Sequence, residues 1–178
     1  MNRTIKAFKA LLIGVTGFAL GFIASPQGVQ GQAPQPLSAG GLHHLGFAVK
    51  DLDKSAKEFT DLFGVDLPQS RTMRDIPWGP AFPGKMMHVK FVQFKALGVT
   101  IELLQGLDGE SPWADYIAQH GEGIHHIGVS VQNPAATREM LFGRGGKQTQ
   151  AFGGNPTYID MNPKWPFTFE VVGQAPAR

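Results

Sequence analysis

The chain has 178 residues, 42% of them hydrophobic and 17% charged, with 16 basic against 14 acidic side chains, 23 glycines, 13 prolines and no cysteine. These proportions suit one globular domain or two small repeats sharing a core, and so much glycine and proline favours short strands and turns over long helices. The absence of cysteine excludes disulfides and thiolate metal sites, which leaves His, carboxylate, amide or water as metal ligands.

At the N-terminus Arg3, Lys6 and Lys9 precede an apolar run from Ala10 to Ala24, after which Pro, Gln and Gly take over. That order is the order of a secretory signal peptide, expected over residues 1–33 with cleavage after Ala33. The run is shorter than the roughly 20 apolar residues of a membrane span and is broken by Gly14, Gly17 and Gly21, so a retained anchor is the lesser alternative. Removing residues 1–33 takes away three basic side chains and no acidic one, leaving 13 basic against 14 acidic. The basic pI therefore belongs to the leader. The remainder has no basic cluster interleaved with aromatics, so nucleic acid is not an expected partner. The expected location is periplasmic or secreted, with no membrane association after cleavage.

Residues 34–40 (PQPLSAG) read as a flexible lead-in. From Leu42 to Val49 large apolar residues alternate with His44, Gly46 and Ala48, the period of two that marks a strand. Asp51 is placed to cap a helix over Leu52 to Phe63, with Ala56, Phe59, Leu62 and Phe63 on one face and Gly64 as its stop. A loop from Pro68 to Gly84 follows, then strands over Met86 to Phe94 and Val99 to Leu104. Ser111 can cap a short helix over Pro112 to Gln119. The second half has a strand over Ile124 to Val131, a helix over Ala135 to Phe142, a turn containing Gly153-Gly154, and strands over Thr157 to Asp160 and Phe167 to Val172.

The halves echo one another. GLHHLGFAV from Gly41 returns as GIHHIGVSV from Gly123, and VTIELL from Val99 returns as FTFEVV from Phe167. The expected fold is α+β: two tandem βαβββ modules, about 41–110 and 122–173 with a linker helix about 111–120, forming a cleft-shaped mixed sheet with helices on its outer faces. Adjacent strand residues point to opposite faces. If Leu45, Phe47, Ile101, Leu103, Ile127, Val129, Phe167 and Phe169 pack under the helices, then His44, Glu102, His126 and Glu170 all face the cleft. Two imidazoles and two carboxylates suit one divalent ion, Zn, Ni, Co, Mn or Fe. By the same alternation His43 and His125 take the opposite face as structural residues, hydrogen-bonded near a strand end.

These stretches, together with SPWADYIAQHGEGIHHIGVSV from Ser111, resemble the vicinal oxygen chelate superfamily over about 41–174, and most closely its methylmalonyl-CoA epimerase branch. The order His, Glu, His, Glu also resembles glyoxalase I, and the resemblance carries the metal role to His44, Glu102, His126 and Glu170. Epimerases of this branch place a glutamate base on the strand that here reads MMHVKFVQF, yet no acidic residue occurs between Met86 and Phe94. His88 and Lys90 are the expected cleft-facing substitutes on that strand. Proton transfer then has three candidates: Glu170, released from the metal as the resemblance to glyoxalase I suggests, His88 and Lys90. Arg71 and Arg74, in the long loop, are placed to clamp a carboxylate, and Trp165 is a candidate gate.

The functional expectation is an exported metal-dependent isomerase or lyase. It would act on a small oxygenated acid or carbonyl compound through metal-stabilised enolate chemistry. An extradiol-type dioxygenase or a non-catalytic, antibiotic-sequestering binding protein are the alternatives, and a homodimer is compatible with the resemblance.

Overall fold

The computed structural model describes residues 37, 40–79, 82–107, 109–152 and 155–173. The leader, most of the lead-in and the Gly153-Gly154 turn lie outside the described residues.

Among the described residues eight strands and three helices follow one another as β1 (Gly41–Ala48), α1 (Leu52–Phe63), β2 (Arg71–Pro77), β3 (Met86–Ala96), β4 (Val99–Leu107), α2 (Pro112–His120), β5 (Gly123–Val131), α3 (Pro134–Gly143), β6 (Lys147–Phe152), β7 (Asn155–Asp160) and β8 (Thr168–Gly173). The pattern βαβββ thus occurs twice with α2 between the copies. All strands join one mixed sheet in the order β2-β3-β4-β1-β5-β8-β7-β6, which is the expected α+β architecture. The copies meet where β1 pairs antiparallel with β5.

Local chemistry sets the helix ends. The Asp51 side chain accepts from the Lys54 N–H, and Gly64 ends α1 at φ 65°, the left-handed conformation that glycine adopts without a Cβ penalty. Ser111 accepts from the Ala114 N–H ahead of α2, and Asn133 from the Ala136 N–H ahead of α3. Each cap satisfies one of the four N–H groups that a helix start leaves without a partner.

The outer face divides into two cores. Leu52 and Ala56 of α1 bury against Val92, Phe94, Ile101 and Leu103, with Leu45 and Phe47 packed beside them. Leu141 of α3 buries against Val129, Val131, Ile159, Phe169 and Val171, with Ile127 and Phe167 alongside. The apolar residues expected under the helices are therefore there. A third core on the concave side joins Ala48, Ile76, Trp78, Met87, Val89, Leu104 and Tyr158 to Trp113 of α2.

Two strands depart from the sequence reading. β2 lies where a loop is expected and β6 where a turn is expected, and both are edge strands. The pairing of β2 shifts register between Met73 and Ile76, with Asp75 at φ 54°, and that of β6 shifts on either side of Gln150. Bulges and a polar outer side blunt an edge against further pairing, and both erase the period-two pattern. Arg71 and Arg74 consequently sit on a strand. The two edges also touch: the Trp78 indole N–H donates to Thr149 O at 2.8 Å, and the Ala151 N–H donates to Trp78 O at 3.1 Å.

Candidate metal centre

Register brings the four expected ligands together by placing them in two rows that each contain a glycine. Gly46 of β1 pairs with Glu102 of β4 on one side and His126 of β5 on the other. Gly128 of β5 pairs with His44 of β1 and Glu170 of β8. The missing side chains leave the space that the imidazoles fill. A Cβ on Gly46 would stand 2.0 Å from Cε1 of His126, and one on Gly128 would stand 2.4 Å from Cε1 of His44. Each module's glycine thus admits the other module's histidine.

One ligand atom from each of His44, Glu102, His126 and Glu170 lies within 4.8 Å of the others. The Nε2 atoms of His44 and His126 are 2.7 Å apart. Glu170 Oε2 lies 2.8 Å from His44 Nε2 and 3.1 Å from His126 Nε2, and Glu102 Oε2 lies 3.4 and 3.5 Å from them. Two imidazole nitrogens and two carboxylate oxygens aimed at one buried point form a donor set that fits a divalent cation of the first transition row. His126 is wholly buried and His44 nearly so, while Glu170 is the most exposed of the four.

The electrostatics of the cluster follow from carboxylates and imidazoles held out of water. Burial alone would raise the Glu170 carboxyl, but hydrogen bonds from His126 and His44 outweigh it and hold the group at about 2. Burial disfavours the charged form of His126, yet hydrogen bonds to Glu102 and Glu170 leave it raised. Tyr158, fully buried with its ring tilted against His126 at a centroid distance of 4.6 Å, is pushed well above the ordinary phenol by burial and then by the two carboxylates. His125 is lowered to about 3 by burial and the neighbouring His126 and so stays neutral.

Three expectations are corrected. His88 and Lys90 do not face the cleft. The antiparallel register of β3 with β4 opposes Gln93 to Glu102 and Val89 to Gly106, so the odd positions of β3 share the ligand face. Lys90 is opposed to Gln105 and reaches outward to Asp53 of α1, with Nζ 2.6 Å from its Oδ2. His88 lies on that same outer side, its Nδ1 3.3 Å from Arg74 Nη1 and its Nε2 3.6 Å from Asp75. The alternation was legible, but its phase was set by the partner strand. Trp165 lies against Met140, Leu141 and Phe169 on the outer side of the second module, away from the ligands.

His43 and His125 are hydrogen-bonded as expected, but their rings turn to the neighbouring histidines and not to the opposite face, the third correction. Pairing of β1 with β5 shifts between Leu42 and His44 and again between Gly46 and Phe47, which leaves His43 and His125 as extra residues in bulges. A bulge breaks strict alternation and re-aims a side chain. His43 Nδ1 therefore lies 2.7 Å from His44 Nδ1, and His125 Nδ1 lies 3.0 Å from His126 Nδ1.

Several contributors were not singled out from the sequence. Gln93 Nε2 donates to Glu102 Oε1 at 2.6 Å and fixes that carboxylate. Gln93 also lines a cavity of about 160 Å³ with Arg71 and Phe91. A second cavity of about 330 Å³ lies on the α2 side, lined by Tyr116, His125, Asp160 and Thr168 among others. Gly46 and Gly128 did carry a signal, since each stands two residues beyond the ligand histidine in both copies of the repeat.

The chain is similar to known proteins in sequence and fold. Over 147 residues the chain is 29% identical to mitochondrial methylmalonyl-CoA epimerase of Mus musculus, covering 76% of this chain and 75% of that protein. It is 28% identical to the Homo sapiens protein of the same name over 143 residues, covering 75% and 73%. The crystal structure of methylmalonyl-CoA epimerase from Mycobacterium tuberculosis superposes with a TM-score of 0.53 at 24% identity, covering 76% of this chain and 89% of that one. The family model of the glyoxalase/bleomycin resistance protein/dioxygenase superfamily matches residues 43–159, and the chain belongs to that superfamily.

Proposed function

We propose that the protein is a metal-dependent enzyme of the isomerase type that moves a proton beside a carbonyl group of a small oxygenated acid or carbonyl compound. The observation that carries this reading is the convergence of His44, Glu102, His126 and Glu170 on one buried point. The likeness to epimerases supports the reaction type. A divalent ion held by the four residues supplies Lewis-acid polarisation of substrate oxygens.

The side chains divide the remaining work. His44, His126 and Glu102 are the fixed part of the site, Glu102 being tied to Gln93. Glu170 is the cluster carboxylate nearest solvent, and its carboxylate, when not held by the ion, is the group we assign to take the proton. A positioned base contributes typically 10²–10⁴-fold. With His88 and Lys90 turned to the outer face, Glu170 is the candidate base that remains at the cluster. Arg71, Phe91 and Gln93 line space one residue from Glu102, where a small acid could dock its carboxylate on Arg71.

A substrate other than that of the similar epimerases is part of the reading, because β3 carries no carboxylate from Met86 to Ala96. Export is too, on the strength of the basic and apolar order before Ala33. The test is incubation of metal-loaded protein with short acids, oxo acids and acyl thioesters in D₂O. Deuterium entering the carbon beside a carbonyl, lost in Glu170→Gln with metal still bound, is the expected result. Full exchange by Glu170→Gln would remove Glu170 from the role, and a protein that takes up no divalent ion would remove the metal reading.

A further inference from the structure

Each ligand histidine has a second histidine on its other ring nitrogen, at Nδ1 to Nδ1 distances of 2.7 Å for His44 with His43 and 3.0 Å for His126 with His125. We propose that His43 and His125 are positioning residues of the metal centre: each accepts the Nδ1 proton of its neighbour and so holds that neighbour in the tautomer whose Nε2 lone pair points into the cluster. The inference rests on the metal reading and deepens it.

A contact between two neutral Nδ1 atoms holds one proton, and its position decides the chemistry. On the ligand ring it leaves Nε2, the atom within 2.8 to 3.5 Å of the two carboxylates in both rings, free for an ion once the proton that it shares with those carboxylates is displaced. On the outer ring it would force a proton onto the ligand's Nε2, in the middle of the cluster, with no lone pair for an ion. A metal-bound imidazole ordinarily donates its other N–H to a carboxylate, carbonyl or water, and here a ring nitrogen takes that place twice.

Packing does not account for the arrangement. His125 is buried among Trp113, Tyr116 and Tyr158, whereas His43 is exposed. The two environments share only the bulge and the adjacent ligand. A bulge gives up ladder pairing at the extra residue, and this chain has one at the same histidine in each half. His125 is clamped by its aromatic neighbours and His43 is not, so the larger effect belongs to His125.

The test uses Zn(II) alone, with affinity measured by competition against a chromogenic chelator, and ring ¹⁵N shifts of the Zn-loaded protein. His125→Phe keeps ring volume and removes the acceptor, and a 10–100-fold loss of Zn affinity is expected. His125→Asn offers an oxygen near the Nδ1 position and should restore most of that loss. The ¹⁵N spectra of the unaltered protein should show His44 and His126 protonated at Nδ1, which keeps the proposal testable if a variant does not fold. Unchanged affinity in His125→Phe, an Asn variant as weak as the Phe variant, or coordination through Nδ1 would overturn it while leaving the metal site standing. No Zn binding by the unaltered protein would overturn both.

Discussion

Replacing Gly46 by alanine tests the centre through a single methyl group. Gly46 has no positive φ, so its backbone accepts alanine without strain and the conflict lies wholly in what the methyl meets. That is the His126 ring, with Cε1 at 2.0 Å, Nε2 at 2.3 Å and Nδ1 at 2.5 Å. Ordinary contact begins near 3.4 Å, so the ring must retreat by about 1.4 Å, whereas metal–ligand distances hold to about 0.2 Å. His126 is wholly buried and has nowhere to move without disturbing Tyr158, whose ring centroid is 4.6 Å away.

Overpacking of this kind costs about 1–3 kcal/mol of stability. The effect on the ion should exceed the 10–100-fold that changes around a ligand produce, because the ligand itself is displaced. The assay is thermal unfolding of the metal-free and Zn-loaded forms. A ligand at 100 times its Kd stabilises by about 2.7 kcal/mol, so a hundredfold loss of affinity removes nearly all of that increment. Gly128→Ala, opposed to His44 at 2.4 Å, should behave alike, and Gly41→Ala, with nothing within 4 Å on the same strand, should change neither quantity. Wild-type Zn affinity in Gly46→Ala would refute the reasoning.

Other outcomes follow from the same contacts. Gln93→Leu removes the donor that holds Glu102 and should weaken Zn binding about 10–100-fold, read by chelator competition. Lys90→Ala breaks a partly exposed ion pair with Asp53 on the outer face; stability should fall by no more than about 1 kcal/mol and deuterium exchange should persist, whereas loss of exchange with metal retained would restore Lys90 as a base. Metal-free protein should lose stability on acidification. His125, lowered from 6.5 to about 3, and Glu170, lowered from 4.5 to about 2, both bind more protons unfolded than folded. The first loss therefore spans about pH 6.5 to 3 and the second about pH 4.5 to 2. Raised His126 acts oppositely, its contribution being lost as pH climbs above 6.5, and a midpoint flat from pH 7 to 3 in chemical denaturation would contradict these assignments.

Legibility of the fold tracked where the sheet is buried. The central strands β1, β4, β5 and β8 carry one apolar face each, so their alternation named both the core residues and the four residues that converge in the cluster. At the edges nothing forces alternation, and β2 and β6 were invisible for that reason. Phase on β3 failed differently: MMHVKFVQF has medium-sized or apolar residues on both faces, and only pairing with β4 distinguishes them. The histidine pairs failed at the bulge, since a rule that adjacent residues point apart holds only while the ladder is regular.

The arrangement of ligands also ties the ion to the union of the modules. Each half contributes one histidine and one glutamate, so neither alone offers more than two ligands. Each half also supplies the glycine gap that the other's histidine occupies, Gly46 for His126 and Gly128 for His44. The strands that exchange these contacts, β1 and β5, are the pair that joins the two halves of the sheet. An ion bound to all four residues therefore binds the paired state and not its separated parts, and binding free energy becomes free energy of module pairing. The buried carboxylates make the converse true: Glu102 and Glu170 held near each other without a cation depend on protons from the imidazoles, the role that the raised His126 serves. Metal and proton thus compete for one cage, and uptake of the ion should release protons in proportion to the imidazole charge present at the working pH.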